Sequence, residues 1–552
     1  MENSNDWQKL SEIMFPNLTK TIEDYESIYP LRDLPKNAKV TRLAPSPTGF
    51  IHMGNLYGAF VDERLARQSQ GTFILRIEDT DDKRKVDGAV ETIISSLAYF
   101  GVAFDEGAGE KSASGVYGPY WQSSRRDIYQ AAAKHLVAKG LAYPCFCTEE
   151  ELSELREKQV AANVITGYYG AWAKDRQLSF AQMQQKITAG QKFVVRLKSS
   201  GNQESFFTIA DAIRGELKAP VNFTDVVILK ANGIPTYHFA HVVDDHLMRV
   251  THVVRGEEWL STLPIHYELF KALSWELPVY CHTAHLMKID ELSGAKRKVS
   301  KRKDPELGLE YYMEQGYHPE CVREYLLTLL NSNFEEWRNS EPDKNAEEFL
   351  FTIGKMSHSG ALLDLNKLND VSKNVLLKIP VAEIYDFLVN WAKGYRPDLT
   401  SVLAENRSQV CKLLAVGREG NKPRKDLVYA AQIFAFIQYY FDEYFVVEDQ
   451  YPSNIDRAEG AVLLKSYLAT YDHNDEQSQW FEKIRQIAAE NGYAVKPKDY
   501  KKHPEDYKGD VGQVSTVIRI AVVGRASSPD VWELQQIMGE EKVRQRIIQA
   551  IG

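Results

Sequence analysis

Residues 39–77 read KVTRLAPSPTGFIHMGNLYGAFVDERLARQSQGTFILRI, and this stretch decides the fold. Lys39–Ala44 has the character of a short strand. Pro45-Ser46-Pro47-Thr48-Gly49 is a turn cluster, since Pro and Gly break regular structure. His52–Gln70 reads as a helix, with Leu56, Phe60 and Leu65 at roughly helical spacing. Thr72–Ile77 is a β-rich apolar run, and Asp87–Gly101 is helical again. Strand, helix, strand, helix in this order predicts a parallel, doubly wound sheet.

Outward from there the pattern weakens after about Tyr120. Residues 125–160 read as helical, and 192–230 hold short strand-like runs (KFVVRLK, SFFTIAD, DVVILK). This predicts an inserted α+β module over 121–235. The α/β alternation returns over 236–290. From about 305 nearly everything reads as helix, as in VREYLLTLL, AEIYDFLVNWAKG and VRQRIIQAIG. Residues 1–37 read as a helical extension closing on YPLRDLPKN. The expected order is therefore extension 1–37, α/β 38–120, insertion 121–235, α/β 236–290, a linking region 291–375 and a helical region 376–552.

The chain has 552 residues, enough for three or four domains at ~150 residues each. Hydrophobic residues are 44% and charged residues 26%, which excludes a disordered or fibrous chain. Five cysteines, an odd and sparse set, argue against a disulfide framework and for a reducing compartment. The start, MENSNDWQKLSEIMF, lacks the basic opening and apolar core of a signal peptide. No apolar run reaches the ~18 residues of a membrane span, so a soluble cytoplasmic protein is expected. The net charge of −9 disfavours non-specific nucleic-acid binding but leaves room for a local basic face.

Two segments carry chemistry. In RLAPSPTGFIHMGN, Arg42–Asn55, a strand end and a turn open into a helix. Helix N-terminal amides and the dipole favour an anion there. Gly54 lets a nucleotide approach the backbone, and His52 is placed to donate to a phosphate oxygen. His-x-Gly alone is more often a plain corner with a capping histidine. The second segment is AKRKVSKRKD, Ala295–Asp304, with six basic residues. A run of this kind is often a solvated loop. The sharper reading is a mobile loop whose Lys298, Ser300 and Lys301 close on a triphosphate, lysine being a point charge on a flexible stem.

His52-Met53-Gly54-Asn55 and Lys298-Val299-Ser300-Lys301-Arg302 resemble the two signatures of class I aminoacyl-tRNA synthetases. RIEDTD (76–81), PTYHFAHVVDDH (235–246), VVRGEEWL (253–260) and 515–543 resemble glutamyl-tRNA synthetase in particular. The resemblance runs from about residue 38 to the C-terminus; nothing comparable covers 1–37. It implies a Rossmann-type catalytic domain with an inserted acceptor-binding module, then all-α stem-contact and anticodon-binding domains.

It also implies that glutamate is activated with ATP and then transferred to tRNA(Glu), with Mg2+ held largely by the phosphates. His52 and Lys301 would stabilise the reacting phosphate, assisted by Lys298 and Arg302, with Gly54, Asn55 and Ser300 also lining the ATP site. Glu258 and Leu286 match positions near the ribose and adenine. Arg42 and Arg255 match the arginines of the glutamate pocket, and planar forks fit carboxylates. Glu78 matches the acid facing the substrate ammonium, and Ser46 and Tyr237 match hydrogen-bonding positions. His241 stands where many members carry Asn, either tuning the pocket or packed as a buried histidine.

Cys145-Phe146-Cys147 resembles the start of a zinc site found in some members. Trp172 stands where a further cysteine is expected, and two thiolates fall short of four ligands, so no zinc is expected. Arg424, Lys425, Arg519 and Arg525 are candidates for tRNA contacts, with Tyr500, Tyr507 and Trp532 as weaker stacking candidates. A monomer is the family default. Glutaminyl-tRNA synthetase is disfavoured because its anticodon region is of β-barrel type. The shortened glutamyl-queuosine enzyme lacks an anticodon domain. A catalytically dead RNA-binding paralogue is disfavoured by His52, Lys301 and the pocket arginines. Charging of tRNA(Gln) in addition to tRNA(Glu) stays open.

Overall fold

The computed structural model describes residues 4–47, 49, 51–81, 86–109, 114–290, 292–300 and 302–552. The chain divides into two compact units. One is Met1–Tyr311 with Arg323–Asp364, and the other is Tyr312–Val322 with Leu365–Gly552.

In the first unit, strand β1 (Val40–Leu43) and strand β2 (Thr72–Leu75) pair in parallel, and β2 pairs in parallel with β3 (Glu106–Gly107). All four residues of β1 and of β2 are buried. That is why both read as unbroken apolar runs, as strands covered on both faces do. Two helices precede β1, α1 (Ser4–Met14) and α2 (Ile22–Ile28), the second opened by a capping box at Thr21. Helix α3 (Met53–Gln68) crosses from β1 to β2, burying Leu56, Phe60 and Leu65. Gly71 ends this crossover because a Cβ there would lie 1.9 Å from the Lys39 carbonyl oxygen. Helix α4 (Ala89–Tyr99) leads on to β3.

The segment 125–160 is not continuous helix as the sequence suggests. It runs α5 (Arg126–Ala138), β4 (Ala142–Cys145) and α6 (Glu149–Ala161). Gly140, at φ +70°, turns the chain after α5, and the apolar LAYPC that follows has no helical period. Helix α7 (Phe180–Thr188) then leads to β5 (Val194–Leu197), which pairs antiparallel with β4 and with β8 (Val227–Leu229).

Between β5 and β8 the hairpin β6 (Phe206–Asp211) and β7 (Gly215–Pro220) leaves this small sheet. β6 instead joins a second sheet, of order β7-β6-β10-β9, with β9 (His252–Gly256) and β10 (Val279–Thr283). β9, β10 and β6 are mutually parallel. Helices α8 (Tyr237–Leu247) and α9 (Leu263–Leu273) flank β9 in sequence. The Thr251 N–H donates to the Val40 carbonyl at 2.9 Å, so the two parallel sheets meet along β1 and β9. β11 (Leu286–Ile289) follows and pairs antiparallel with β12 (Lys296–Lys298) and in parallel with β13 (Ala361–Leu362).

The second unit is helical in its described elements from Leu365 onward. A continuous core built from Ile384, Leu388, Leu413, Ile433, Leu463, Ile484, Val517 and Ile547 ties the helices of 365–552 together. Among the described residues, no helix is long and apolar enough to cross a membrane.

Candidate active site

The chain reverses its direction of winding between β1 and β9, and a cavity of about 700 Å³ opens there. Ligands in open α/β sheets bind at such switch points. Arg42, Ser46, Glu78, Tyr237 and Arg255 are among the residues that line the cavity, as are His52, Gly54, Asn55, Glu258, Leu286 and Lys298. Eleven residues singled out from sequence thus share one cavity.

His52 is the N-cap of α3. Its Nδ1 accepts from the Asn55 N–H at 3.3 Å, and the Asn55 side chain takes the His52 N–H at 3.1 Å. With Nδ1 taken as the cap's acceptor, the ring proton belongs on Nε2. Gly54 has a specific reason to be glycine. A Cβ there would lie 2.9 Å from His52 Cε1, so the bare backbone makes room for the imidazole.

Beneath the cavity lies a buried network of charge. Arg42, at the end of β1, donates Nε–H to Asp245 at 3.1 Å and Nη1–H to the Val254 carbonyl at 3.3 Å. Arg76 has no exposed surface and reaches Asp245 at 2.6 Å and Glu78 at 3.1 Å. Arg125 donates to Asp244 at 2.7 Å. Gln122 and Tyr129 donate to the other oxygen of Asp244. Burial raises the Glu78 carboxyl against the pull of Arg76 and Arg42. A cation docking beside it would favour its charged form.

Arg255 differs from these arginines. Its Nε–H donates to His282 Nε2 at 3.0 Å and its Nη1 lies 3.1 Å from His266 Nδ1. It sits over the Tyr280 ring at 4.8 Å, and its Nη2 is buried without a partner. Tyr237 packs on Trp259 with ring centres 4.7 Å apart, and burial pushes its hydroxyl up to about 12.

Other residues fall elsewhere. His241 is fully buried and absent from the cavity wall. Its Nδ1 faces Asp245 at 3.3 Å and Arg42 at 3.5 Å, and its ring stacks on His266. Of the two readings of His241, this placement accords with the packed, buried histidine, set behind Arg42. Ser300 lies at the loop's turn, where its N–H donates to Asp304 at 2.9 Å, and Arg302 is exposed outside the cavity wall. Lys301 lies outside the described residues. Arg297, read only as part of the basic run, is committed to Asp304 and Asp290.

Cys145 and Cys147 are joined by Asp175, the three donor atoms lying within 4.8 Å of one another. Asp175 was not found from sequence, being 28 residues beyond Cys147. Its carboxylate already accepts the Phe146 N–H at 2.7 Å and faces the Cys147 thiol at 3.4 Å, while Tyr168 lies 3.2 Å from the same sulfur. The pocket is closed by hydrogen bonds and its thiolate-type donors are two, so the residues fit a structural zinc poorly.

In the second unit, Arg519 donates to the Ala526 carbonyl, Arg525 pairs with Glu448, and Lys425 donates to Asn374. Arg424 pairs with Asp426, while both its terminal nitrogens are buried without a partner. Trp532 is packed against the core with its Nε1–H on the Asp475 carbonyl. Tyr500 is half-buried and Tyr507 exposed.

Residues 39–370 match the family of tRNA synthetases class I (E and Q), catalytic domain. The chain belongs to this class I tRNA synthetase family. Residues 399–551 of the synthetase match an anticodon binding domain. A curated relative from Acetivibrio thermocellus, named glutamate--tRNA ligase, is 68% identical over 98% of this chain and 99% of its own. A relative of the same name from Clostridium perfringens strain 13 is 47% identical over 98% of this chain and all of its own. A solved glutamate tRNA ligase from Elizabethkingia meningosepticum, in complex with its amino acid, superposes with a TM-score of 0.70 at 27% identity. It covers 93% of this chain and 99% of its own. A match over 98% of the chain must extend into residues 1–37, so the N-terminal extension, for which the sequence alone offered nothing comparable, is shared with these relatives.

Proposed function

We propose that this synthetase attaches L-glutamate to tRNA(Glu) through a glutamyl-adenylate. The observation that carries the reading is one cavity that joins a guanidinium with an uncommitted Nη2, Arg255, to a helix N-terminus headed by His52. The first suits a carboxylate and the second a phosphate.

In the first step a carboxylate oxygen of glutamate attacks the α-phosphorus of ATP and pyrophosphate leaves. Arg255 and Arg42 hold carboxylate, Glu78 faces the ammonium, and Ser46 and Tyr237 fix the orientation. His52, through Nε2–H, and Lys298 meet the charge that develops on phosphate, with Lys301 and Arg302 brought up by the loop and Ser300 beside them. Gly54 and Asn55 lie along the phosphates, and Glu258 and Leu286 along the ribose and adenine. ATP enters with Mg2+ carried on its phosphates. In the second step a terminal ribose hydroxyl of tRNA attacks the acyl carbon and AMP leaves. Glutamine, whose amide carries its own donors, leaves an arginine poorly paired. Arg424, Lys425, Arg519 and Arg525 are assigned to tRNA contacts, and the reaction is placed in the cytoplasm.

ATP–pyrophosphate exchange driven by glutamate, run with and without tRNA, tests this. Exchange that never rises above background, even with tRNA, would refute it. Charging of purified tRNA(Gln) beside tRNA(Glu) decides whether the enzyme accepts both.

A further inference from the structure

Arg255 is held differently from Arg42 in the cavity wall and from Arg76 beneath it. Arg42 reaches Asp245, and Arg76 reaches Asp245 and Glu78. Arg255 touches no carboxylate among the described residues; both its hydrogen-bond partners are imidazoles. A guanidinium donates only, so His282 Nε2 and His266 Nδ1 must both be unprotonated acceptors. The remaining ring protons follow. His282 Nδ1–H points at Asp211 Oδ2, 2.6 Å away, and His266 Nε2–H points at His238 Nδ1, 3.1 Å away. His266 and His282 have no exposed surface, and burial disfavours the charged form of both rings, against the pull of Asp211 on His282.

Asp211 comes from the β6 hairpin, and it faces Tyr280 in the register between β6 and β10. It also accepts the N–H groups of Ile213 and Arg214 at 3.0 and 2.9 Å, which fix the carboxylate itself. The hairpin that leaves the inserted segment for the main sheet therefore delivers the group that sets the His282 tautomer.

Resting on the reading that Arg255 receives a glutamate carboxylate, we propose that Asp211–His282 and His238–His266 form a clamp that meets Arg255 only through two neutral rings. It aligns the Arg255 guanidinium while leaving it without a direct carboxylate partner, so that place stays open for the substrate. The four are positioning residues, and their effect is selection of a carboxylate over an amide. A carboxylate partner in place of either imidazole would orient Arg255 equally well but cancel the charge that glutamate is recognised by.

The test is glutamate-dependent pyrophosphate exchange, with tRNA present, for the wild type and for Asp211→Asn, His282→Gln and His282→Phe. Asp211→Asn keeps the shape, and its carbonyl oxygen still takes the backbone N–H groups. Its amide favours a proton on His282 Nε2, facing the Arg255 donor. Expected is a rise of about 10- to 100-fold in KM for glutamate, the scale of a lost charge-assisted hydrogen bond, with KM for ATP unchanged. His282→Gln, which retains an acceptor, stays near wild type, whereas His282→Phe, an isosteric ring without one, behaves like Asp211→Asn. Equal glutamate KM in the Gln and Phe variants would overturn the clamp, and this pair decides the matter even where Asp211→Asn fails to fold. A wild type without glutamate-dependent exchange would instead refute the reading of the site on which the clamp rests.

Discussion

Arg297 and Asp304 form a two-pronged ion pair, Nη2 to Oδ1 at 2.6 Å and Nη1 to Oδ2 at 2.7 Å, across the base of the loop that carries Lys298 and Ser300. Asp304 also accepts the Ser300 N–H, and its side chain has no exposed surface. The Arg297 hydrogen bonds hold its carboxyl down to about 2, so the pair stays charged throughout the working range. One of the six basic residues is therefore a tether for the loop, its guanidinium committed to two carboxylates. Asp304→Asn should loosen the loop, lowering kcat for pyrophosphate exchange about 10-fold, the range of a mispositioned catalytic group. The glutamate KM should move little, and a variant with unchanged kcat would show that the tether has no part in catalysis.

Asp245 carries a different load. Burial pushes its carboxyl up, but Arg42 and Arg76 outweigh this and hold it below the usual range. Asp245→Asn would leave two buried guanidinia facing a neutral amide. Breaking a buried pair of this kind costs about 3–5 kcal/mol, because the remaining charge is left uncompensated. Urea unfolding should show that loss as a lower midpoint with an unchanged slope.

These two carboxylates mark where the sequence is informative and where it stops. The α/β order was legible because β1 and β2 are buried on both faces and read as apolar runs. β7 was not, being an edge strand whose residues GELKAP alternate only between exposed and half-buried, with none in the core. Arg42, Glu78 and Arg255 were legible through motifs that resemble a known family. Asp211 was not, because it lies 71 residues from the histidine it orients and no local pattern links them. For His241 the motif left two readings open, a pocket contact or a packed ring. Its position in the motif is that of a pocket residue, but only the packing of α8 shows its ring turned behind Arg42.

The buried histidines set an acid limit on stability. Burial lowers His238 to about 4, and it holds His241, His266 and His282 down as well, with Arg255 adding to the effect on each. Their unfolded value is about 6.5. A folded value below the unfolded one gives stability that is present above pH ~6.5 and is lost as pH falls toward ~4, where protons bind the unfolded chain first. The Tm should therefore fall steeply between pH 7 and pH 5, well before the Arg297–Asp304 pair titrates. A Tm flat over that interval would contradict neutral, buried imidazoles.

Metal content gives an independent check on the cysteine pocket. Asp175 is engaged by the Phe146 N–H, and Trp172 occupies the place where the resemblance leads one to look for another cysteine. Purified protein should carry zinc far below one equivalent by elemental analysis. Its melting temperature should be unchanged by EDTA. Stoichiometric zinc, lost to EDTA together with a fall in Tm, would show that Asp175 and Tyr168 complete a metal site after all.

The N-terminal helices are bound to the catalytic unit by specific groups. Glu26 pairs with Arg249 at 2.6 Å and with His246 at 2.5 Å. The Tyr29 hydroxyl donates to the Gly118 carbonyl at 2.8 Å, and Arg32 donates Nε–H to the Met248 carbonyl at 3.1 Å. Leu10, Met14, Phe15, Tyr25 and Tyr29 are all buried. Arg249 lies at φ +61°, just beyond the end of α8, so these contacts brace the turn that leads from α8 to β9 and on to Arg255. Deleting residues 1–34 exposes that apolar surface and releases the turn. The Tm should drop by about 10 °C or more, as a loss of several apolar side chains implies, and the glutamate KM should rise with it. Glu26→Gln, which keeps the packing, should cost only a few degrees. A truncated protein that melts with the full chain would show that the two helices are passengers on the fold.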